Sequence, residues 1–225
     1  MRRLRTPADL STFIRSRGPF ELCIWDFDGV VCDSEPWQAA SYETLLSRRG
    51  THPRADFFES YVGLTETEIW DRLDARYDLA TDRQAAARER SEVLRPALLT
   101  EARPNWFVRP ALAAVRATGT RSVIVSSGRL DVIEPYLDAW SLAPLFDAVS
   151  GQALEVPSKT ERLSTWLASA RGRVLLFEDV DAYLALGSAR GAVVVGVLHG
   201  LNANSCRSAD AVMIASPEAV GSNSS

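Results

Sequence analysis

Cysteine is scarce in this chain: three residues in 225, at Cys23, Cys32 and Cys206. The odd count and the spacing fit neither a disulfide framework nor a cysteine metal site, so reduced thiols in a cytoplasmic protein are expected. Long hydrophobic runs are missing too. Nothing approaches the roughly 20 residues that cross a bilayer, so no membrane partner is expected. MRRLRTPADLSTFI begins with basic residues but has no apolar stretch of the secretory-signal type. Positive charge is not in excess: the net charge is -4, which argues against nucleic acid, whose phosphates call for a basic face. There is no internal repeat, and the closing GSNSS is low in complexity and expected to be disordered.

What is present is ordinary globular composition, 46% hydrophobic and 24% charged, at a length suited to one large domain or a core with a smaller insert. TPAD reads as a helix start, with Thr6 as N-cap, Pro7 at the first helical position and Asp9 in the first turn. Nothing further is assigned to residues 1–19. Four apolar runs read as strands: ELCIWDF (21–27), RSVIVSS (121–127), RVLLFED (173–179) and AVVVGV (192–197). A fifth, AVMIA (211–215), is placed at an edge. Near-continuous apolar runs are what strands look like when both faces of a parallel sheet are covered. Helices are expected between them, at about 109–118, 129–139, 158–170 and 180–190. The alternation implies a doubly wound, Rossmann-like α/β sheet, mostly parallel.

One interval breaks the alternation. Residues 36–50, 64–77 and 81–95 read as helices with no strand among them; Ile69, Leu73 and Tyr77 share one face, and Thr81 with Gln84 suggests a capping box. The expected organisation is therefore an α/β core of residues 1–34 and 107–225, with an all-helical insert at 35–106. Pro36 and RPNWFVRP (103–110) mark the ends of the insert.

The first strand ends in an unusual way. CIWDFDGVVCDSE carries Asp26 and Asp28 directly after a buried apolar run, where unpaired carboxylates are costly. In an open α/β sheet, ligands bind beyond the carboxyl ends of the strands. That edge would gather Asp26, Asp28 and Gly29 from the first strand, Ser126, Ser127, Gly128 and Arg129 from the second, and Glu178, Asp179 and Asp181 from the third. Carboxylates so placed repel one another unless they hold a cation, and oxygen-only ligands favour Mg²⁺. The Ser-Ser-Gly turn before a helix would suit an anion such as phosphate. Ser158 and Glu161 form a second capping box. Lys159 is thereby placed in a first helical turn, where the helix dipole disfavours a cation unless a carboxylate and a phosphate face it.

In this order, these residues resemble the haloacid dehalogenase superfamily of phosphotransferases. DFDGVVCDSE is similar to its first motif, Ser126 to its second, Lys159 to its third and FEDV to its acidic fourth. The helical insert resembles the cap of the β-phosphoglucomutase and phosphoglycolate phosphatase branch. The resemblance implies Asp26 as nucleophile and Asp28 as acid and base. It implies Mg²⁺ on Asp26, the Asp28 backbone carbonyl and Asp179, with Glu178 behind them or as an alternate ligand. Ser126 and Lys159 would hold the phosphoryl group. Gly29, Ser127, Gly128 and Arg129 would lie against phosphate, while Gly63, Leu64 and Thr65 of the cap would select the substrate. Trp37, Tyr42 and Trp70 are read as cap core in preference to a pocket lining. His199 is given no role.

Motifs three and four depart from the resemblance: motif three usually reads Lys-Pro-x-Pro, whereas Thr160 and Glu161 follow Lys159 here. Motif four usually continues Glu-Asp-Ser-x-x-Gly, whereas Val180 and Tyr183 stand here at the serine and the glycine. Asp28 argues against dehalogenases and phosphonatases, which lack the second aspartate. In the mutase branch, a histidine stands at the position of Gln38, and an arginine that holds a second phosphate stands at that of Glu66. A glutamate there would repel that phosphate. The expected activity is therefore a Mg²⁺-dependent phosphatase acting on a small phosphate monoester, as a monomer or weak homo-oligomer. A phosphomutase and a catalytically silent binding protein are the alternatives.

Overall fold

The computed structural model describes residues 2–54, 57–61, 64, 66–152, 156–199, 202 and 206–215. The GSNSS tail lies outside them. The chain divides into two compact units, Ser34–Arg103 and Met1–Asp33 with Pro104–Ser225.

The larger unit is built on seven parallel strands. They are β1 (Arg2–Leu4), β2 (Leu22–Trp25), β3 (Arg121–Arg129), β4 (Ala148–Gln152), β5 (Val174–Glu178), β6 (Val193–Leu198) and β7 (Ala211–Ile214), in the order β1-β7-β6-β5-β2-β3-β4. β2 and β5 are buried at every residue, which explains their unbroken apolar sequence. Alternate side chains serve opposite faces. Leu22 and Ile24 join Val123, Val125, Leu176 and Val194 in one cluster. That cluster also takes Leu163 and Leu167 from α7 (Lys159–Ser169) and Leu184 from α8 (Asp181–Ala189). Next along the strand, Trp25 stacks on Phe177 with ring centroids 4.2 Å apart, and Phe177 meets Phe107 at 6.2 Å. Phe107 is the residue before α5 (Val108–Arg116).

One expectation is corrected, and two strands are added to those expected. AVMIA is not at an edge: β7 lies between β6 and β1. The first 19 residues belong to the larger unit, β1 pairing with β7 and α1 (Pro7–Arg17) packing on α5. The Thr6–Asp9 capping box closes α1 as its sequence suggests. β4 has no counterpart among the expected strands, because Ala148, Val149 and Ser150 are only partly buried and two of the five residues are glycine and glutamine.

The smaller unit is helical: α2 (Glu35–Arg48), a 3₁₀ turn (Phe57–Tyr61), α3 (Glu66–Tyr77) and α4 (Arg83–Glu101). Tyr42, Leu45, Ile69, Trp70, Leu73 and Leu98 are buried in it, and Tyr42 meets Trp70 edge-on with centroids 5.5 Å apart. Tyr42 and Trp70 are therefore core, as expected, whereas Trp37 is only partly buried. The N-cap of α4 is Asp82, which accepts from the N–H groups of Gln84 and Ala85. Thr81 instead donates to Asp74 across 2.6 Å, so no Thr81–Gln84 box forms.

Candidate active site

Because all seven strands run the same way, their carboxyl ends share one edge, and the central neighbours β5, β2 and β3 deliver the acids and hydroxyls there. Asp26 follows β2 and is buried; its Oδ1 accepts from the Phe27 N–H at 2.7 Å. Its Oδ2 lies 2.8 Å from the Lys159 Nζ, which is also 2.8 Å from Glu178 Oε2. The Ser158–Glu161 capping box sets the start of α7 and so the position of Lys159.

Glu178 is engaged at both oxygens. Oε2 meets Lys159, and Oε1 accepts from the N–H groups of Asp179 and Val180 at 3.1 Å each. It stands behind Lys159 as a support. Tyr183, one turn into α8, covers the same ammonium, its ring centroid 4.2 Å from Nζ.

Ser126 and Asp28 approach each other beside Gly128. A Cβ built on Gly128 would lie 3.0 Å from Asp28 Oδ2 and 3.2 Å from Ser126 Oγ. The Gly128 N–H donates to Ser126 Oγ at 2.9 Å. Residues 126–129 continue β3, with a register shift against β4, instead of forming the expected turn. Ser127 is exposed there. Arg129 is turned outward, its side chain 64% exposed and paired with Asp131 at 2.8 Å. Leu64 lies in the helical unit, and Gly63 and Thr65 lie outside the described residues.

Burial and mutual repulsion shape the electrostatics. Burial, then the charge of Asp26, pushes the Asp179 carboxyl up to about 7. The same two causes raise Glu178 well above the carboxylate range, against the pull of Lys159. Burial alone would lower Lys159, but Asp26 and Glu178 reverse this and hold its ammonium firmly protonated. The ligand oxygens of Asp26, Glu178 and Asp179 all lie within 4.8 Å of one another, and the three residues are buried. Three acids crowd around one ammonium, burial and mutual repulsion oppose their ionisation without a cation, and the donors are all oxygen. Such a set fits a hard divalent cation. Gly29 keeps room beside it: at φ +72° it takes a left-handed backbone, and a Cβ would lie 2.8 Å from Asp179 Oδ2.

Several contacts were not visible in the sequence. Arg162, one turn after Lys159, is 7% exposed and donates to the Ser126 carbonyl at 2.7 Å, the Pro157 carbonyl at 2.9 Å, and both oxygens of Ser150. Asn105 donates to the Gly29 and Val30 carbonyls at 3.1 and 2.8 Å, holding the loop after Asp28. His199, beyond β6, is buried with its Nε2 2.9 Å from Asp179 Oδ2. Burial holds its imidazole down at about 4, hence neutral.

A family model for haloacid dehalogenase-like hydrolases matches residues 23–179. The chain belongs to that family. The match runs from β2 through Asp179 and so takes in all of the clustered acids. No curated protein matches the chain. Solved structures of the same fold include a predicted phosphoglycolate phosphatase from Haemophilus somnus, 20% identical at TM-score 0.72, over 88% of this chain and 95% of that one. A β-phosphoglucomutase from Clostridium difficile is 19% identical at TM-score 0.69, over 88% and 92%. CbbY from Rhodobacter sphaeroides, in complex with phosphate, is 14% identical at TM-score 0.70, over 86% and 93%. At these identities the likeness is one of fold.

In the helical unit, Arg90 answers the two positions that separate the branches. It donates to Gln38 Oε1 and to Ser41 Oγ at 3.1 Å, and it lies 3.6 Å from Glu66 Oε1 and over the Tyr42 ring at 4.3 Å. The Glu66 charge therefore has a local counter-ion, and repulsion of a second phosphate is weaker than the sequence suggests. Arg90 Nε and Nη2 are engaged by Ser41 and Gln38, while Nη1 faces Glu66 as an ion pair.

Proposed function

We propose that this haloacid dehalogenase-like hydrolase is a Mg²⁺-dependent phosphatase that cleaves small-molecule phosphate monoesters through an aspartyl-phosphate. The observation that carries the reading is the buried Asp26 carboxylate held 2.8 Å from Lys159 within a cluster of acids at the carboxyl edge of the sheet. Asp26 attacks phosphorus while the bond to the leaving oxygen breaks, and Asp28 gives that oxygen its proton. Asp28, then a carboxylate, takes a proton from water as the water's oxygen attacks the aspartyl-phosphate, which frees inorganic phosphate and restores Asp26.

Lys159 neutralises charge that builds on the phosphoryl oxygens, and Glu178 keeps its ammonium in place. Ser126, oriented by the Gly128 N–H, donates its hydroxyl hydrogen to a phosphoryl oxygen. Asp26, Asp179 and the Asp28 carbonyl would hold Mg²⁺, which when bound offsets the repulsion between nucleophile and phosphate. The phosphate assignments of Gly29 and Gly128, and the substrate-selecting assignment of Gly63, Leu64 and Thr65, rest on the family resemblance. Glu66, at the place of the mutase arginine, and the engagement of Arg90 by Gln38 and Ser41 favour a substrate with one phosphate, and so a phosphatase over a mutase.

p-Nitrophenyl phosphate tests the reading. Phosphate release should require Mg²⁺, stop with EDTA and return when Mg²⁺ is restored. Asp26→Asn should lose at least about 10³-fold in kcat with an unchanged circular dichroism spectrum. Turnover that survives in this variant would remove Asp26 as nucleophile. A metabolite panel scored for phosphate release, with glucose phosphates assayed for isomerisation, separates hydrolysis from phosphoryl transfer within a sugar.

A further inference from the structure

β6 is the sheet neighbour of β5, with Glu178 paired to Gly196, so the residue just past β6 arrives beside the residue just past β5. That residue is His199, and its partner is Asp179. The two side chains are 4% and 3% exposed, and they meet at 2.9 Å through Nε2 and Oδ2. As a metal ligand Asp179 is a carboxylate, whose oxygens only accept, so Nε2 then carries the hydrogen. The arrangement does not rest on one bond. Asn202 accepts from the His199 N–H at 2.7 Å and donates to the backbone carbonyls of Asp179 and Val197 at 3.0 and 2.8 Å. One asparagine thus fixes both the backbone that carries the imidazole and the backbone that carries the carboxylate.

We infer that His199 is the positioning residue for Asp179: its Nε2–H fixes the rotation of that carboxylate, so that the cation site beside Asp26 is formed in advance. This rests on the reading of Asp179 as a metal ligand. The physical reason is general. A carboxylate free to rotate must be ordered when the metal arrives, and outer hydrogen bonds that order it beforehand are worth roughly 10- to 100-fold in metal affinity. Gly29 belongs to the same arrangement, since a Cβ there would lie 3.1 Å from His199 Nε2.

The test reads Mn²⁺ binding by electron paramagnetic resonance, which needs no turnover, on wild type and three variants. His199→Gln places an amide N–H where Nε2 stands and should bind Mn²⁺ within about threefold of wild type. His199→Asn reaches only as far as Nδ1, and it should bind roughly 10- to 100-fold more weakly. His199→Leu should match His199→Asn; if it does not fold, the two amides still decide the question, being alike in polarity and different in reach. Equal affinity in His199→Asn and wild type overturns the proposal. So does a wild-type electron spin echo spectrum with strongly coupled ¹⁴N, which would make His199 a ligand, and so does a wild type that binds no Mn²⁺. A protein that shows the expected ranking but releases no phosphate leaves this role standing and removes the phosphatase reading.

Discussion

The Lys159 ammonium lies 4.2 Å from the centroid of the Tyr183 ring, where the family's fourth motif has glycine. A glycine would leave that side of the cation open. The aromatic face instead supplies a neutral, electron-rich cover that does not compete with Asp26 or Glu178 for the ammonium's hydrogens. Tyr183→Phe keeps the ring and should keep kcat within about twofold. Tyr183→Ala gives up a cation–π contact of about 0.5–2 kcal/mol, so kcat on p-nitrophenyl phosphate should fall roughly 2- to 30-fold.

Arg162 joins three segments through the Ser126 carbonyl, the Ser150 oxygens and the Pro157 carbonyl. Arg162→Met keeps much of the volume and removes every donor. Buried acceptors left without partners cost about 1–3 kcal/mol each, and partial relaxation should bring the loss to about 2–4 kcal/mol. Denaturant unfolding followed by fluorescence measures it. kcat should fall as well, because Ser126 and Lys159 both sit on segments that Arg162 ties down.

Val180 is the N-cap of α8, has extended backbone (φ -101°, ψ 120°) and offers no side-chain acceptor to the first turn. Serine, the family's residue there, would supply one. Val180→Ser should raise stability by about 0.5–2 kcal/mol, read as a higher thermal midpoint. A drop would mean that the lost packing of the isopropyl group outweighs the cap.

Asp74 in the helical unit accepts from Thr81 and Arg83. Burial works against its ionisation, but the hydrogen bonds from Thr81 and Arg83 outweigh it and hold the carboxyl below its ordinary range. A carboxyl depressed in the folded state stabilises the fold above its unfolded pKa, and this contribution is lost as pH falls through the folded value. Asp74→Asn should therefore be less stable than wild type at pH 7, by about 1 kcal/mol. The gap should close as the pH falls below about 4, the ordinary value of an aspartate, toward the lower folded one. Calorimetry across that range checks it.

The interior of the larger unit was legible because the buried strands β2, β3, β5 and β6 leave unbroken apolar runs. Asp26, Ser126, Lys159 and Asp179 could be located because each directly follows such a run or a helix cap. β1 was not legible. It is three residues long, two of them arginine, and pairing across the whole sequence leaves no local periodicity. The Arg129–Asp131 pair was not legible, because a basic residue after a serine loop looks the same whether it faces a ligand or a carboxylate. His199 could not be found by any local rule. Its meaning depends on β6 lying next to β5 and on Asn202 joining their ends, which is a matter of strand order.

That strand order also sets a timetable. Arg2–Leu4 pair with Ala211–Met213, so nearly the whole chain must leave the ribosome before the outermost strand has anything to pair with. At the usual 5–20 residues per second, the wait is on the order of ten seconds or more. Two arginines on so short a strand suit that interval, since charge on an unpaired edge discourages pairing with other chains. The sheet is thus completed last at its β1 edge, by a segment made before the rest of the sheet existed.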